Sequence, residues 1–339
     1  MKKHLLVLFL AILGCSLPVQ LTSGTPAPIP TATQPPTIMP TPTVTAEPGT
    51  TKNPLILALA PSARPGGEML AAGEVIAAFI ELHTGYKLVT VVPTSESDLV
   101  DAFSRNNAHI ASLSPFGYLL ARQNASVTAL LASVRGGQMF YGAQFIANRE
   151  NGFSPFFDIA RAENTAEAPQ ALKQLDGKKP CWSDAGSPSG YVVPLGLLNQ
   201  LDVKTRLGAF LEGQPSVVRA VYADDICDFG VTFIDARRSP TLEANYPDVL
   251  DKVIVIWRLP NVIPYENISI STALPMEMRR VIQRAFIDLM LTPQGKTAIQ
   301  TVYGIDELQI AEDPLYEEFK KYVNDSKLDL RDLIDQPKP

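Results

Sequence analysis

Short apolar runs alternate with segments of helical spacing through most of the chain beyond residue 54. The continuous apolar run at residues 55–60 is typical of a buried strand in a parallel sheet. Residues 68–83 repeat apolar positions at helical spacing and end just before Gly85, which predicts a helix. The same patterns predict further strands at residues 86–92 and 109–113, and helices at residues 97–106 and 115–123. Strands and helices in this alternation predict right-handed βαβ units on a parallel sheet.

A second set of apolar strands follows, separated from the first by a polar loop at residues 149–168. Residues 141–147 and 255–264 are interpreted as strands that cross between the two sets. We therefore predict an α/β fold of two lobes, with two parallel or mixed sheets joined by two hinge crossings. Lobe one would comprise residues 55–147 and 261–330, and lobe two residues 148–260. A cleft between two hinged lobes is where ligands commonly bind.

The first 54 residues are predicted to export and tether the folded part. Lys2 and Lys3 precede a short apolar stretch, so residues 1–14 are interpreted as a signal peptide. Cys15 follows at the position of the lipid-modified cysteine of bacterial lipoproteins, and the alternative is ordinary cleavage further along the chain. Residues 15–54 are rich in Pro and Thr and almost free of charge, which predicts a disordered tether.

The composition of the chain argues against several classes of binding partner. A formal net charge of -6 argues against nucleic acid, which favours a basic surface. Three cysteines and three histidines, widely spaced, argue against a zinc site, and we expect neither a metal nor another cofactor. No apolar stretch of the sequence beyond residue 20 is long enough to span a membrane. Contact with the membrane is therefore expected through the lipid anchor only.

The stretch CWSDAGSPSGYVVP at residues 181–194 carries the most distinctive chemistry of the sequence. A short strand at residues 179–183 is predicted to run through a Gly/Ser turn into a helix that begins near Ser189. This arrangement directs backbone N–H groups and the hydroxyls of Ser187 and Ser189 at one point, at the positive end of a helix dipole. Such a point favours a small oxyanion. The sequence therefore predicts an anion site here.

Three blocks of sequence resemble the substrate-binding proteins of phosphonate, phosphite and phosphate ABC transporters. They lie at residues 175–194, at 210–222 with 227–231, and at 268–275 with 292–306. The resemblance implies a two-lobed periplasmic-binding-protein fold of type II that closes over a small anionic ligand. It also implies an ABC permease as partner, a monomer, and an extracytoplasmic location on the membrane through the lipid anchor.

The resemblance also assigns residues to the ligand site. The family's Ser-Thr-Ser-Gly turn, which holds phosphonate oxygens, falls on residues 187–190, with Pro188 in place of Thr. Pro188 removes a hydroxyl and an N–H that could donate to the ligand. Gln214 stands where the family often has His. The candidate ligand contacts on these blocks and after the third strand are Ser187, Ser189, Gly190, Tyr191, Gln214, Ser114 and Phe116.

Three further candidates each have a structural alternative. Arg64 is either a bidentate donor to the ligand or a solvated loop charge. Tyr141, on the first crossing strand, faces either the cleft or the core. Asp235 or Asp228 could meet an amine of the ligand, with a structural role for Asp228 as the alternative.

Cys181 and Cys227 lie on predicted strands that are neighbours in one sheet of the family fold. An exported protein meets an oxidising environment, so the resemblance implies a disulfide between them. The alternative is a pair of buried free thiols.

A secreted hydrolase is the rival class of function. The sequence GSPSG at residues 186–190 is not the G-x-S-x-G nucleophile elbow, and neither His83 nor His109 is placed as a base. The sequence also lacks HExxH, P-loop and GxGxxG motifs, so we expect no enzyme. A third class, a lipoprotein that presents its ligand to a signalling receptor, would share the fold of a transport protein and remains open.

Overall fold

The computed structural model describes residues 46–123 and 127–336 of the chain. The predicted signal peptide, Cys15 and most of the predicted tether lie outside the described residues. Within the described part of the chain, no helix is long and apolar enough to cross a bilayer.

The last residues of the predicted tether are folded, which corrects the sequence prediction. The Asn53 side-chain amide donates a hydrogen bond to the Ala46 carbonyl at 2.8 Å. The Lys87 N–H donates to the Gly49 carbonyl at 2.8 Å. Gly49 is buried and has a φ of 80°, in the left-handed region that favours glycine. Residues 46–54 therefore form a turn held against the start of the second strand, and are not part of a disordered segment.

The strands of the described residues are β1 (Leu55–Ala58), β2 (Leu88–Val91), β3 (Ile110–Leu113), β4 (Val127–Val134), β5 (Phe140–Asn148), β6 (Phe157–Asp158), β7 (Glu163–Asn164), β8 (Pro180–Trp182), β9 (Ala209–Phe210), β10 (Phe229–Phe233), β11 (Val253–Pro264), β12 (Asn267–Ser271) and β13 (Glu307–Ile310). The α-helices are α1 (Gly67–Thr84), α2 (Glu96–Ser104), α3 (Pro115–Gln123), α4 (Ala168–Leu172), α5 (Val193–Gln200), α6 (Gln214–Ala223), α7 (Pro240–Asn245), α8 (Val249–Lys252), α9 (Met276–Met290), α10 (Pro293–Tyr303), α11 (Glu317–Ser326) and α12 (Leu330–Ile334). A π-helix at Pro188–Val192 leads directly into α5.

Lobe one is built on a six-stranded mixed sheet in the order β13-β4-β12-β3-β1-β2. β1 is parallel to β2 and β3, whereas β12 is antiparallel to β3 and β4. Leu57 packs into the cluster formed with α1, α9 and α10, and Ala58 into the cluster formed with α2 and α3. Successive strand residues point to opposite faces, so helices on both faces explain why the run at residues 55–60 is continuously apolar.

Lobe two is built on a five-stranded mixed sheet in the order β11-β5-β10-β8-β9. β5 is antiparallel to β10 and β11, and β8 is parallel to β9 and β10. Cys181 packs into the cluster formed with α6, and Trp182 into the cluster formed with α5. The prediction of two lobes with mixed sheets is confirmed.

The positions of the crossings differ from the prediction. Residues 141–147 and 255–264 lie wholly in the sheet of lobe two, where Trp257 pairs with Phe145. The chain crosses instead at residues 135–139, through the left-handed Gly136 and Gly137, and again at residues 265–266. The two apolar strands pair with each other, and this keeps both of them in lobe two.

The C-terminal segment also departs from the prediction that residues 261–330 belong to lobe one. Helix α11 packs on α5 of lobe two, where Gly196 leaves room for the backbone of Tyr322. The Asn199 side-chain amide donates to the Asp325 carbonyl at 2.9 Å. Helix α12 then returns to lobe one and packs on α2 and α3. The chain therefore passes between the lobes again beyond β13.

Candidate functional site

A cleft of about 740 Å³ opens between the two lobes. Lobe one contributes the start of α3, and lobe two contributes the loop after β8 and the start of α6. The crossing residues and the C-terminal helix α12 complete its walls. Six of the predicted ligand residues line this cleft: Ser114, Phe116, Tyr141, Ser187, Ser189 and Gln214.

The other four predicted residues are not among the described residues that line the cleft. Arg64 is exposed in the loop after β1, in keeping with a solvated loop charge. Tyr191 stacks edge-on against Trp182 at 5.2 Å and Phe210 at 4.8 Å between ring centroids, so its ring belongs to a packed aromatic cluster. Gly190 is buried behind the cleft wall.

Asp235 has a structural role, which corrects its assignment as a ligand contact. Its carboxylate pairs with the Arg237 guanidinium at 2.6 Å and the Arg258 guanidinium at 2.9 Å, and it accepts a hydrogen bond from the Gln144 amide at 2.8 Å. Burial by itself raises the pKa of Asp235, but Arg237 and the Gln144 amide outweigh that effect and the pKa is lowered. The carboxylate is therefore held ionised by partners within lobe two.

The predicted anion turn, residues 183–190, has the expected strand–turn–helix form, with a π-helix as its first helical turn. The Ser187 hydroxyl caps this helix by accepting a hydrogen bond from the Gly190 N–H at 3.0 Å. A Cβ atom at Gly190 would overlap the Ser183 hydroxyl, so this close approach requires glycine. The positive end of the helix therefore faces the cleft at Ser187 and Ser189.

Gln214 fastens this turn to the start of α6. Its amide nitrogen donates to the hydroxyls of Ser183 and Ser187, each at 3.1 Å. Its side-chain oxygen accepts a hydrogen bond from the Phe233 N–H at 3.0 Å. The amide is thus fully engaged within the protein, and Gln214 positions the anion turn in addition to lining the cleft.

Ser183 was missed by the sequence reasoning, which treated it as the last strand residue. It is fully buried, and its hydroxyl lies beneath the turn as a partner of Gln214. A small polar residue at the carboxyl end of a buried apolar strand is the signal that points to such a position.

An aromatic pair borders the anion turn. The rings of Tyr141 and Tyr265 stack at 4.9 Å between centroids with an angle of 20°. Burial raises the pKa of the Tyr141 phenol, and a hydrogen bond with Ser189 partly opposes this shift. Tyr141 therefore stays protonated at neutral pH and lies beside Ser189.

Arg135 is the only cationic side chain among the described lining residues. It lies on the first crossing, where it pairs with Glu266 at 2.9 Å and covers the ring of Tyr265 at 5.0 Å from the centroid. Arg135 thereby links the two crossings. An anion at the turn would be held mainly by hydroxyl and backbone N–H donors, because this guanidinium already has a carboxylate partner.

Glu96 is buried at the floor of the cleft in lobe one. Its carboxylate accepts a hydrogen bond from the Ser114 N–H at 2.7 Å. A Cβ atom at Gly117 would overlap this carboxylate, so Gly117 is needed for Glu96 to reach the loop before α3. Glu96 therefore fixes the backbone at Ser114 on the side of the cleft opposite the anion turn.

A disulfide joins Cys181 to Cys227, as the resemblance implied, with the two Cα atoms 5.6 Å apart. Cys181 is in β8, two residues before Ser183, and Cys227 lies just before β10. The crosslink therefore reinforces the sheet directly behind the anion turn.

A curated protein of known name is similar in sequence to this chain. The phosphate-import protein PhnD of Mycolicibacterium smegmatis is 28% identical over 192 residues, which cover 53% of this chain and 54% of that protein. The chain thus spans about half the length of the curated relative that it matches.

Two solved structures of XAC2383 from Xanthomonas citri, bound to chloride and to ATP, are similar in fold. Their TM-scores are 0.57 and 0.56 at 16% and 15% identity, over 82% and 83% of this chain and 98% and 99% of theirs. The fold is that of the two-lobed periplasmic binding proteins of type II.

A family model described as "ABC transporter, phosphonate, periplasmic substrate-binding protein" matches residues 59–316. The members of this family are transport proteins and not enzymes, in agreement with the sequence prediction. The match covers both lobes, including the anion turn of lobe two, and the chain belongs to the periplasmic phosphonate-binding protein family of ABC transporters.

Proposed function

We propose that this protein captures a small phosphorus oxyanion, of the phosphonate, phosphite or phosphate type, in the interlobe cleft and delivers it to an ABC permease. The observation that carries the proposal is the anion turn. Its helix N-terminus and the hydroxyls of Ser187 and Ser189 lie on the wall of the cleft. Family membership supports the same class of ligand.

The turn can hold an oxyanion through neutral donors, without an unpaired cationic side chain of the protein. Hydroxyl and backbone N–H groups donate to anionic oxygen, and each such bond contributes about 1.5–3 kcal/mol. The helix dipole adds about 0.3–1 kcal/mol where it is partly exposed. Ser114 and Phe116 of lobe one line the same cleft as the anion turn, so a ligand that contacts both lobes would favour their closed arrangement.

Family membership implies an extracytoplasmic location. The finer parts of the proposal are attachment to the membrane through a lipid on Cys15 and action as a monomer.

Calorimetric titration with phosphate, phosphite, methylphosphonate and 2-aminoethylphosphonate tests the proposed function. At least one of these should bind, and Ser189→Ala should weaken binding by about tenfold, the value of one hydrogen bond to a charged group. Ser154→Ala is the matched control, because Ser154 is an exposed residue of lobe two outside the cleft lining. A lack of binding by all four compounds would overturn the proposed function.

A further inference from the structure

The C-terminal helix α12 forms one wall of the ligand cleft. Leu333 and Ile334, both on this helix, line the cleft together with Gln336. The family model ends at residue 316, so α11 and α12 lie beyond the part of the chain that it matches. Helix α12 therefore adds a wall to the cleft from outside the matched residues.

Helix α12 contacts both lobes. On lobe one, the Arg331 guanidinium pairs with the Asp101 carboxylate of α2 at 2.8 Å. On lobe two, a Cβ atom built on Gly186 of the anion turn would lie 3.0 Å from the Cβ of Gln336 and 3.2 Å from the Leu333 carbonyl oxygen. The helix therefore bridges the two lobes and approaches the anion turn closely.

The cleft is much larger than the head group that the anion turn would hold. A phosphonate head has about five non-hydrogen atoms, which at about 30 Å³ each occupy on the order of 150 Å³. The cleft measures about 740 Å³. In this arrangement of the lobes, the cleft therefore has room for a substituent in addition to the head group.

The side chains around this remaining volume are largely apolar. Phe116 and Phe233 face it from opposite lobes, and Tyr265 closes it at the crossing. Leu333 and Ile334 complete this wall from α12. Three acidic residues, Glu96, Asp184 and Glu266, also line the cleft. Glu96 accepts a bond from the Ser114 N–H, and Glu266 pairs with Arg135. The apolar side chains therefore offer a packing surface for a hydrocarbon substituent.

We infer that α12 is the specificity-determining wall of this site, and that the ligand is an organophosphonate with a bulky apolar substituent. The inference rests on the proposed function, because the phosphonate head must occupy the anion turn. The substituent then packs between Phe116, Leu333 and Ile334. Each CH₂ group buried there strengthens binding about fourfold.

The test compares methylphosphonate with phenylphosphonate by calorimetric titration of the full-length protein. The phenyl group adds five carbon atoms, and we expect phenylphosphonate to bind at least about 30-fold more tightly. If methylphosphonate binds and phenylphosphonate binds no more tightly, the proposed function stands and the inference is overturned. If neither compound binds, the inference is overturned, and titration with phosphate, phosphite and 2-aminoethylphosphonate then decides whether the proposed function stands.

Variants of α12 test the role of the helix. Leu333→Ala should lower the affinity for phenylphosphonate by about tenfold and leave that for methylphosphonate within about twofold. Leu330→Ala is the matched control, since Leu330 lies on the same helix, is 8% exposed against 7% for Leu333, and is not among the cleft-lining residues. An unchanged phenyl-to-methyl ratio in Leu333→Ala, or an equal fall of the ratio in both variants, would overturn the assignment of α12.

Discussion

The side-chain amide of Gln214 donates a hydrogen bond to the Ser187 hydroxyl at 3.1 Å, and so joins the start of α6 to the anion turn. The same nitrogen lies 3.1 Å from the hydroxyl of Ser183, which is fully buried beneath the turn. Ser187 in turn caps the π-helix through the Gly190 N–H. One amide therefore sets the position of the groups that face the ligand.

The substitution Gln214→Glu should weaken binding of the oxyanion by about 100-fold or more. Glutamate has nearly the same shape but cannot donate to the two hydroxyls, and it places a negative charge beside the anion site. Calorimetric titration with methylphosphonate measures the effect. Gln170→Glu, at an exposed residue of α4 in the same lobe, controls for the change in net charge. Equal affinities in the two variants would contradict the positioning role of Gln214.

Pro188 offers a substitution that should strengthen binding. Pro188→Thr restores the Ser-Thr-Ser-Gly turn of the family, and adds both a backbone N–H and a hydroxyl at the start of the helix. A hydrogen bond to a charged group contributes about 1.5–3 kcal/mol, so we expect the affinity for methylphosphonate to rise by about tenfold or more per bond. The loss of proline should reduce the free energy of unfolding by about 0.4–1 kcal/mol.

Pro188→Ala separates the two donors, because alanine restores the N–H without the hydroxyl. We expect its affinity to lie between those of the original protein and Pro188→Thr. An affinity of Pro188→Thr no higher than that of the original protein would show that position 188 does not face the ligand.

The order of the elements in both lobes could be predicted from the sequence, because apolar periodicity reports which segments are strands and helices. The same periodicity does not report which lobe a segment joins. Residues 141–147 are apolar enough to suit either sheet, and their pairing with β10 and β11 fixes them in lobe two. Likewise, the apolar face of α11 carries Phe319 and Val323 but does not identify α5 as its partner.

The anion turn could be predicted because its chemistry is local: a strand end, small residues and a helix start follow one another in the chain. The residues that support it are distant in sequence. Glu96 and Arg135 take their roles from contacts with Ser114 and Glu266 that no local pattern reveals. The role of Asp235 depends in part on the same kind of contact: Arg237 is two residues away, but its second cationic partner, Arg258, is 23 residues away.

Loss of the disulfide should lower the free energy of unfolding substantially. Cys181 and Cys227 are 46 residues apart, and closing a loop of that length contributes about 4 kcal/mol in the chain-entropy model. Urea denaturation of the double variant Cys181→Ala/Cys227→Ala measures this loss. Treatment of the original protein with reductant should reproduce it, whereas the double variant should not respond to reductant. Equal stability of the oxidised and reduced protein would contradict the prediction.

The ion cluster around Asp235 should make stability depend on pH in the acidic range. The Asp235 side chain is 9% exposed, and Arg237, whose side chain is 2% exposed, depends on it for a counter-charge. Removing one partner of a buried ion pair costs about 3–5 kcal/mol, so Asp235→Asn should lose about that much stability at neutral pH.

The sign of the pH effect follows from the lowered pKa of Asp235. The folded state binds this proton less readily than the unfolded state, in which the pKa is about 3.9. The stabilisation by the cluster is therefore fully present at pH values above the unfolded pKa, and is lost as the pH falls through the lower folded pKa. Urea denaturation of the original protein and of Asp235→Asn, at neutral pH and at about pH 3, measures the difference between them. That difference should shrink on acidification, and a difference that stays constant would show that the Asp235 carboxylate does not stabilise lobe two through its charge.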